Sequence, residues 1–91
     1  MNTLHWNITV SGRVQGVFYR ASTLEKALEL GIKGIVRNES NGDVYLEAEG
    51  SQDQLNQLVN WLQEGPPLAV VVNVEISTSE IKNFTDFQIS K

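Results

Sequence analysis

The dipeptide Asn41-Gly42 sits between two runs of mostly apolar and alternating residues, and it restricts the fold more than any other feature of this chain. The pair adopts positive φ at little cost, so the strands on either side of it close as an antiparallel hairpin. Those strands are predicted over 32–38 and 43–49, with Val44, Leu46 and Ala48 turned inward. Upstream, residues 5–14 alternate. Trp6, Ile8 and Val10 fall on one face and Asn7, Thr9 and Ser11 on the other, as a half-buried strand requires. The spacing of Leu24, Ala27 and Leu28 then predicts a helix over 22–30, opened by a Ser22/Glu25 capping box and closed by Gly31. Downstream, Ser51 and Gln54 open a second helix with the stripe Leu55, Leu58, Val59 and Leu62, which Gly65-Pro66-Pro67 terminates. The β-branched run 70–76 reads as a further strand and the tail 84–89 as a short closing one.

The order β, α, β, β, α, β predicts an α+β, ferredoxin-like sandwich of two layers, an antiparallel sheet with two helices on one face. A chain of 91 residues is expected to make a single domain over 1–91, and at that size a monomer is the default. No window approaches the roughly 18 apolar residues of a membrane span, and the N-terminal residues alternate instead of forming a signal-peptide core. The expectation is therefore a cytoplasmic protein with no membrane partner. The absence of cysteine removes thiolate nucleophiles and cysteine-ligated metals, and the acids are scattered instead of clustered as metal ligands, so neither metal nor cofactor is expected.

This topology hosts many unrelated functions, so function has to come from a site. A net charge of −4 argues against nucleic-acid binding, which calls for a basic face. RNA-recognition sheets of the same order carry exposed aromatics and basic groups, whereas the strand "DVYLEAEG" carries one tyrosine and three acids. The distribution of charge says more than its sum. The eleven acids begin only at Glu25, while all three arginines, Arg13, Arg20 and Arg37, lie in the first 37 residues.

The stretch "SGRVQGVFYR", Ser11 to Arg20, falls at the junction of the first strand and first helix and contains no acid. Two readings fit it. In one, Gly16 merely turns the chain and Arg20 is solvated. In the other, converging backbone N–H groups and the positive end of the helix dipole cradle an anion, which Gly16 lets approach and Arg20 grips with a planar fork. The missing acids add weight to the second. Arg13 reads as a strand-end surface charge, and Phe18 and Tyr19 as residues packed to fix the loop. Asn38, just before the hairpin turn, either satisfies local backbone groups or holds a water through an amide that does not titrate. His5 has no carboxylate partner evident from spacing, which disfavours a catalytic role. Glu47 and Glu49 share a strand face whose spacing suits a solvated sheet surface.

Together "GRVQGVFYR" (12–20) and "GIVRNESNGDV" (34–44) resemble the two motifs of the acylphosphatase family. The likeness extends to the "LG" ending the first helix, the tryptophan-bearing second helix, "GPP" and the C-terminal "DFQI". It implies metal-free, cofactor-free hydrolysis of the carboxyl–phosphate bond of a small-molecule acyl phosphate, with inorganic phosphate as product and competitive inhibitor. On this resemblance Arg20 is the phosphate-binding arginine and Asn38 the water-orienting asparagine. Gln15, Gly16, Val17, Phe18 and Tyr19 supply main-chain amides to the phosphate oxygens. Ile35 stands where the family often has an aromatic residue and Val71 where a polar or basic one is common; both read as packing or surface changes.

Overall fold

The structure, a computed structural model, describes residues 2–90, so the ends of the expected unit, Met1 and Lys91, lie outside the described residues. Seven elements follow in order: β1 (Leu4–Arg13), α1 (Tyr19–Leu30), β2 (Lys33–Asn38), β3 (Val44–Gly50), α2 (Gln52–Leu62), β4 (Val70–Thr78) and β5 (Phe87–Ile89). The strands form one sheet in the order β4-β1-β3-β2-β5. This is the ferredoxin-like α+β sandwich expected from the pattern. The four main strands pair antiparallel, with Ile8 opposite Leu46 and Val36 opposite Leu46 on the two flanks of β3. The closing strand makes the sheet mixed, because β5 pairs parallel to β2, with Val36 beside Ile89. After β4 the chain crosses to the other edge of the sheet and reverses, so it arrives running with β2.

The inward alternation of β1 and β3 meets the helical stripes in a single core. Ile8, Val10, Val36, Leu46 and Ala48 from the sheet and Ala27, Leu55, Leu58 and Leu62 from the helices are fully buried. Trp6 is only partly buried at the margin. Helix α2 opens as its sequence predicts, with the Ser51 hydroxyl accepting from Gln54 N–H at 3.2 Å and the Gln54 side chain accepting from Ser51 N–H at 2.8 Å. Helix α1 does not. It begins at Tyr19, three residues earlier than the predicted start, and the Ser22/Glu25 capping box does not form. Tertiary packing overrides the local signal: the Tyr19 ring is buried, stacks obliquely on Trp61 at 5.8 Å, and its hydroxyl donates to the Leu62 carbonyl at 2.6 Å. Burial pushes the Tyr19 phenol well above its ordinary range.

The sheet face away from the helices also departs from the sequence pattern. Glu47 and Glu49 were expected to be solvated, but they are 7% and 4% exposed, and His5, expected to lack a carboxylate partner, has two. Strand register explains this, since His5 lies directly across from Glu49 on β3, 44 residues away. The segment between β4 and β5 then folds over the pair. Glu49 accepts from the main-chain N–H of Lys82 at 2.6 Å and of Phe84 at 3.0 Å, and from His5 Nδ1 at 2.8 Å, while the Phe84 ring stacks on His5. Lys82 Nζ reaches Glu47 Oε1 at 2.7 Å, an ionic contact without the direction of a good hydrogen bond. Burial alone would push the Glu49 carboxyl up, but the His5 and main-chain hydrogen bonds outweigh it and hold it below its ordinary value. The Glu47 carboxyl is likewise pushed up by burial and pulled further down, by Lys82 first and then Tyr45 and His5.

Candidate active site

The chain leaves β1 through residues 14–18 and enters α1 with an unusual backbone. Gly16 (φ 75°) and Phe18 (φ 65°, ψ 22°) both occupy the left-handed region, and Phe18 stands at the N-cap position with no side-chain cap. A Cβ at Gly16 would meet nothing within 4 Å, so glycine is required there by conformation and open approach, not by packing. Among the described residues, the main-chain N–H groups of residues 15–21 find no protein acceptor. The first turn of α1 contains no acidic side chain to take them up. A run of free donors at the positive end of a twelve-residue helix is a strong local bias toward an anion.

Of these residues, Gly16, Phe18, Tyr19, Arg20 and Ala21 line a cleft of about 280 Å³, together with Val14, Asn38 and Ile89, whereas Gln15 and Val17 do not. The fold thus brings Arg20, on the first turn of α1, to the same hollow as Asn38, the last residue of β2. Among the described residues Arg20 enters no ion pair, whereas Arg37 is held by Glu39 at 3.3 Å and lies over the Tyr45 ring at 4.7 Å. Arg13 is exposed at the end of β1 and does not line the cleft. Asn38 Oδ1 is buried with no hydrogen-bond partner. Leaving such an acceptor unmet costs about 1–3 kcal/mol, so an orphan in this position calls for an explanation.

The remaining predicted residues separate by role. Val17 turns its side chain into the core. Gln15 does not line the cleft with its side chain. Its carboxamide instead donates to the carbonyls of Glu39 at 2.8 Å and Asp43 at 2.9 Å, tying the β1–α1 loop to the hairpin that follows Asn38. No local signal announces this tie, because both acceptors are backbone groups 24 and 28 residues distant. Tyr19 is packed as expected, but Phe18 is not: its ring is 75% exposed at the mouth of the cleft. The left-handed backbone that frees the loop amides points this side chain away from the core. Ile89, which the sequence did not single out, reaches the cleft because the parallel pairing of β5 sets it beside Val36, two residues before Asn38.

Residues 6–89 match the acylphosphatase family. The chain belongs to the acylphosphatase family. It is an enzyme of that kind. It is 48% identical over 91 residues to the acylphosphatase of Marinobacter nauticus, with 97% of both chains covered. The solved acylphosphatase of Coxiella burnetii superimposes with a TM-score of 0.94 at 45% identity, covering 98% of this chain and 94% of that one. That of Bacillus subtilis does so with a TM-score of 0.94 at 30% identity, covering 97% and 99%. The two departures from the family pattern sit outside the cleft lining: Ile35 is half-buried between Glu47 and Gln88, and Val71 packs at the core margin opposite Gly12. Among the described residues no group of acids and histidine has the arrangement of a metal site, and no helix is long and apolar enough to cross a membrane.

Proposed function

We propose that this cleft hydrolyses the carboxyl–phosphate bond of acyl phosphates, with the loop amides of residues 15–19 and the Arg20 guanidinium holding the phosphoryl oxygens and Asn38 orienting the attacking water. The observation that carries this reading is the coincidence, around one hollow, of unpartnered main-chain donors, an uncommitted arginine and a buried acceptor without a partner. An acyl phosphate is an activated anhydride with a good carboxylate leaving group, so little covalent chemistry is asked of the protein. Water attacks phosphorus opposite the acyl oxygen. The new P–O bond forms as the P–O bond to the acyl group breaks, the electron pair leaves with the carboxylate, and the water proton passes to a phosphate oxygen. Catalysis is then positioning and charge stabilisation. The guanidinium and the amides meet the negative charge spread over the equatorial oxygens, and Asn38 Oδ1 accepts a hydrogen bond from the water.

Incubation with benzoyl phosphate, followed by loss of its ultraviolet absorbance, tests the activity directly. Hydrolysis well above the buffer rate is expected, and a rate equal to buffer would leave only an anion-binding domain. The division of roles has its own test. Inorganic phosphate is expected to inhibit Asn38→Ala nearly as well as the wild type and Arg20→Ala much less; equally poor inhibition of both variants would dissolve the distinction.

A further inference from the structure

We propose that Asn41 is a site of spontaneous isoaspartate formation, and that this change in the β2–β3 hairpin slows turnover at the cleft while sparing the anion cradle. The effect on turnover rests on reading the cleft as the phosphoryl-transfer site. Of the eight asparagines only Asn41 precedes a glycine. A side chain on the following residue crowds the approach of its main-chain nitrogen to the carboxamide, and glycine has none. The turn adds no crowding of its own, since Asn41 is exposed and a Cβ at Gly42 would meet nothing within 4 Å. Attack requires the Gly42 N–H to leave the Glu39 carbonyl, a bond of 3.2 Å, longer than the 2.8 Å bond from Glu39 N–H to the Asp43 carbonyl that also closes the turn. Exposed turns open at little cost. The Gly42 nitrogen then attacks Asn41 Cγ. The new N–C bond forms as the Cγ–Nδ2 bond breaks, and Nδ2 departs with that electron pair and the proton from Gly42 as ammonia. Water opens the resulting cyclic imide at either of its C–N bonds. One opening gives aspartate; the other routes the main chain through the former side chain and lengthens it by a carbon.

Position gives this local event its reach. Glu39 and Asp43, whose carbonyls both accept from the Gln15 carboxamide, flank Asn41, and Asn38 stands directly before Glu39. A carbon added to the backbone between the two acceptors changes their separation, so a single Gln15 nitrogen loses its hold on one of them. Asn38 is then no longer fixed against the β1–α1 loop. Either product also sets a carboxylate where Asn41 Nδ2 now donates to Asp43 Oδ2 at 3.1 Å, exchanging a hydrogen bond for a repulsion. Only isoaspartate alters the backbone. Arg20 and the amides of the first turn of α1 lie outside the altered segment.

The test holds the protein in mildly alkaline, phosphate-free buffer while samples are peptide-mapped by mass spectrometry and assayed with benzoyl phosphate. Isoaspartate is expected at Asn41 and at no other asparagine, with turnover of the modified molecules lowered about tenfold by misplacement of the water and inhibition by inorganic phosphate little changed. Treatment with protein isoaspartyl methyltransferase and S-adenosylmethionine should restore turnover, a recovery that unfolding or general ageing would not show. Freshly prepared Asn41→Asp, which carries the carboxylate on an unaltered backbone, should keep most of its turnover. Asn41→Gln should resist ageing, because the larger ring a glutamine would close forms far more slowly. No isoaspartate at Asn41 after a synthetic peptide of residues 37–45 has fully deamidated would overturn the site. Isoaspartate with unchanged turnover, or an equal loss in Asn41→Asp, would overturn the link through the backbone. A fresh wild type no faster than buffer would instead overturn the phosphoryl-transfer reading and with it the effect on turnover, while the peptide map would still decide the site.

Discussion

Strand β1 has a buried polar site at its start and the cleft just beyond its end, and the two treat their polar groups in opposite ways. At the start, the Glu49 carboxylate is met by His5 and by the N–H groups of Lys82 and Phe84, and Lys82 reaches across to Glu47. The His5 contact joins β1 to β3, and the others fasten the β4–β5 crossover to the sheet. Beyond the end, the amides of residues 15–21 and the Asn38 carboxamide oxygen are left without protein partners. A network such as that around Glu49, closed within the protein, holds a topology together, whereas donors and acceptors left open at a cleft stay available to something that is not protein. The two regions should accordingly respond to mutation in different observables, the first in stability and the second in turnover.

The sharpest separation is expected from Arg20→Ala, which should lower turnover by about a hundredfold or more, the usual result of losing one charge-stabilising donor, while the denaturation midpoint stays near the wild type. Glu49→Ala should do the reverse. It leaves His5 Nδ1 and two part-buried main-chain N–H groups without their acceptor and should cost about 2 kcal/mol in urea unfolding, with turnover at 25 °C retained. Gln15→Leu falls between the two. Without the tie to the Glu39 and Asp43 carbonyls the loop and the Asn38 strand can separate, so turnover should fall about tenfold as the water is misplaced, with phosphate inhibition little affected.

A pH series sharpens the same contrast. The Glu47 and Glu49 carboxyls are held below their ordinary value of 4.5 in the folded state. Their stabilising contribution is full above that value and is lost as pH falls through the lower folded values, because the unfolded chain binds protons first. Thermal midpoints should drop below about pH 4.5 in the wild type and less steeply in Glu49→Gln. The smallest effect on stability is the most telling. Asn38→Leu replaces an orphaned acceptor by an apolar group of similar size and should leave stability equal or slightly higher while turnover collapses. A large loss of stability would show that Asn38 is a structural group.

The elements most legible in the sequence are those whose signals are local. The Asn41-Gly42 hairpin and the Ser51/Gln54 capping box appear as read, because turn and cap chemistry act over two to four residues. The start of α1 departs from its local signal for the opposite reason: Tyr19 is drawn into the helix by contacts to Trp61 and Leu62, more than 40 positions away. The latch at His5 and Glu49 could not be seen as such, since two carboxylates at alternating positions look solvated until strand register and the crossover segment cover them. At the cleft, the glycine and arginine of the loop and the asparagine of β2 were visible through the acid-free stretch and the paired motifs. The exposed ring of Phe18, the brace made by Gln15 and the reach of Ile89 depend on backbone geometry and on a parallel strand pairing that alternation does not encode.

Titration of inorganic phosphate into the protein, followed through backbone amide NMR shifts, tests the anion cradle most directly. Saturable shifts are expected to be largest at the amides of residues 15–20 and to vanish at the same phosphate concentrations in Arg20→Ala. Shifts that are largest elsewhere on the molecule, or that persist undiminished without the guanidinium, would contradict it.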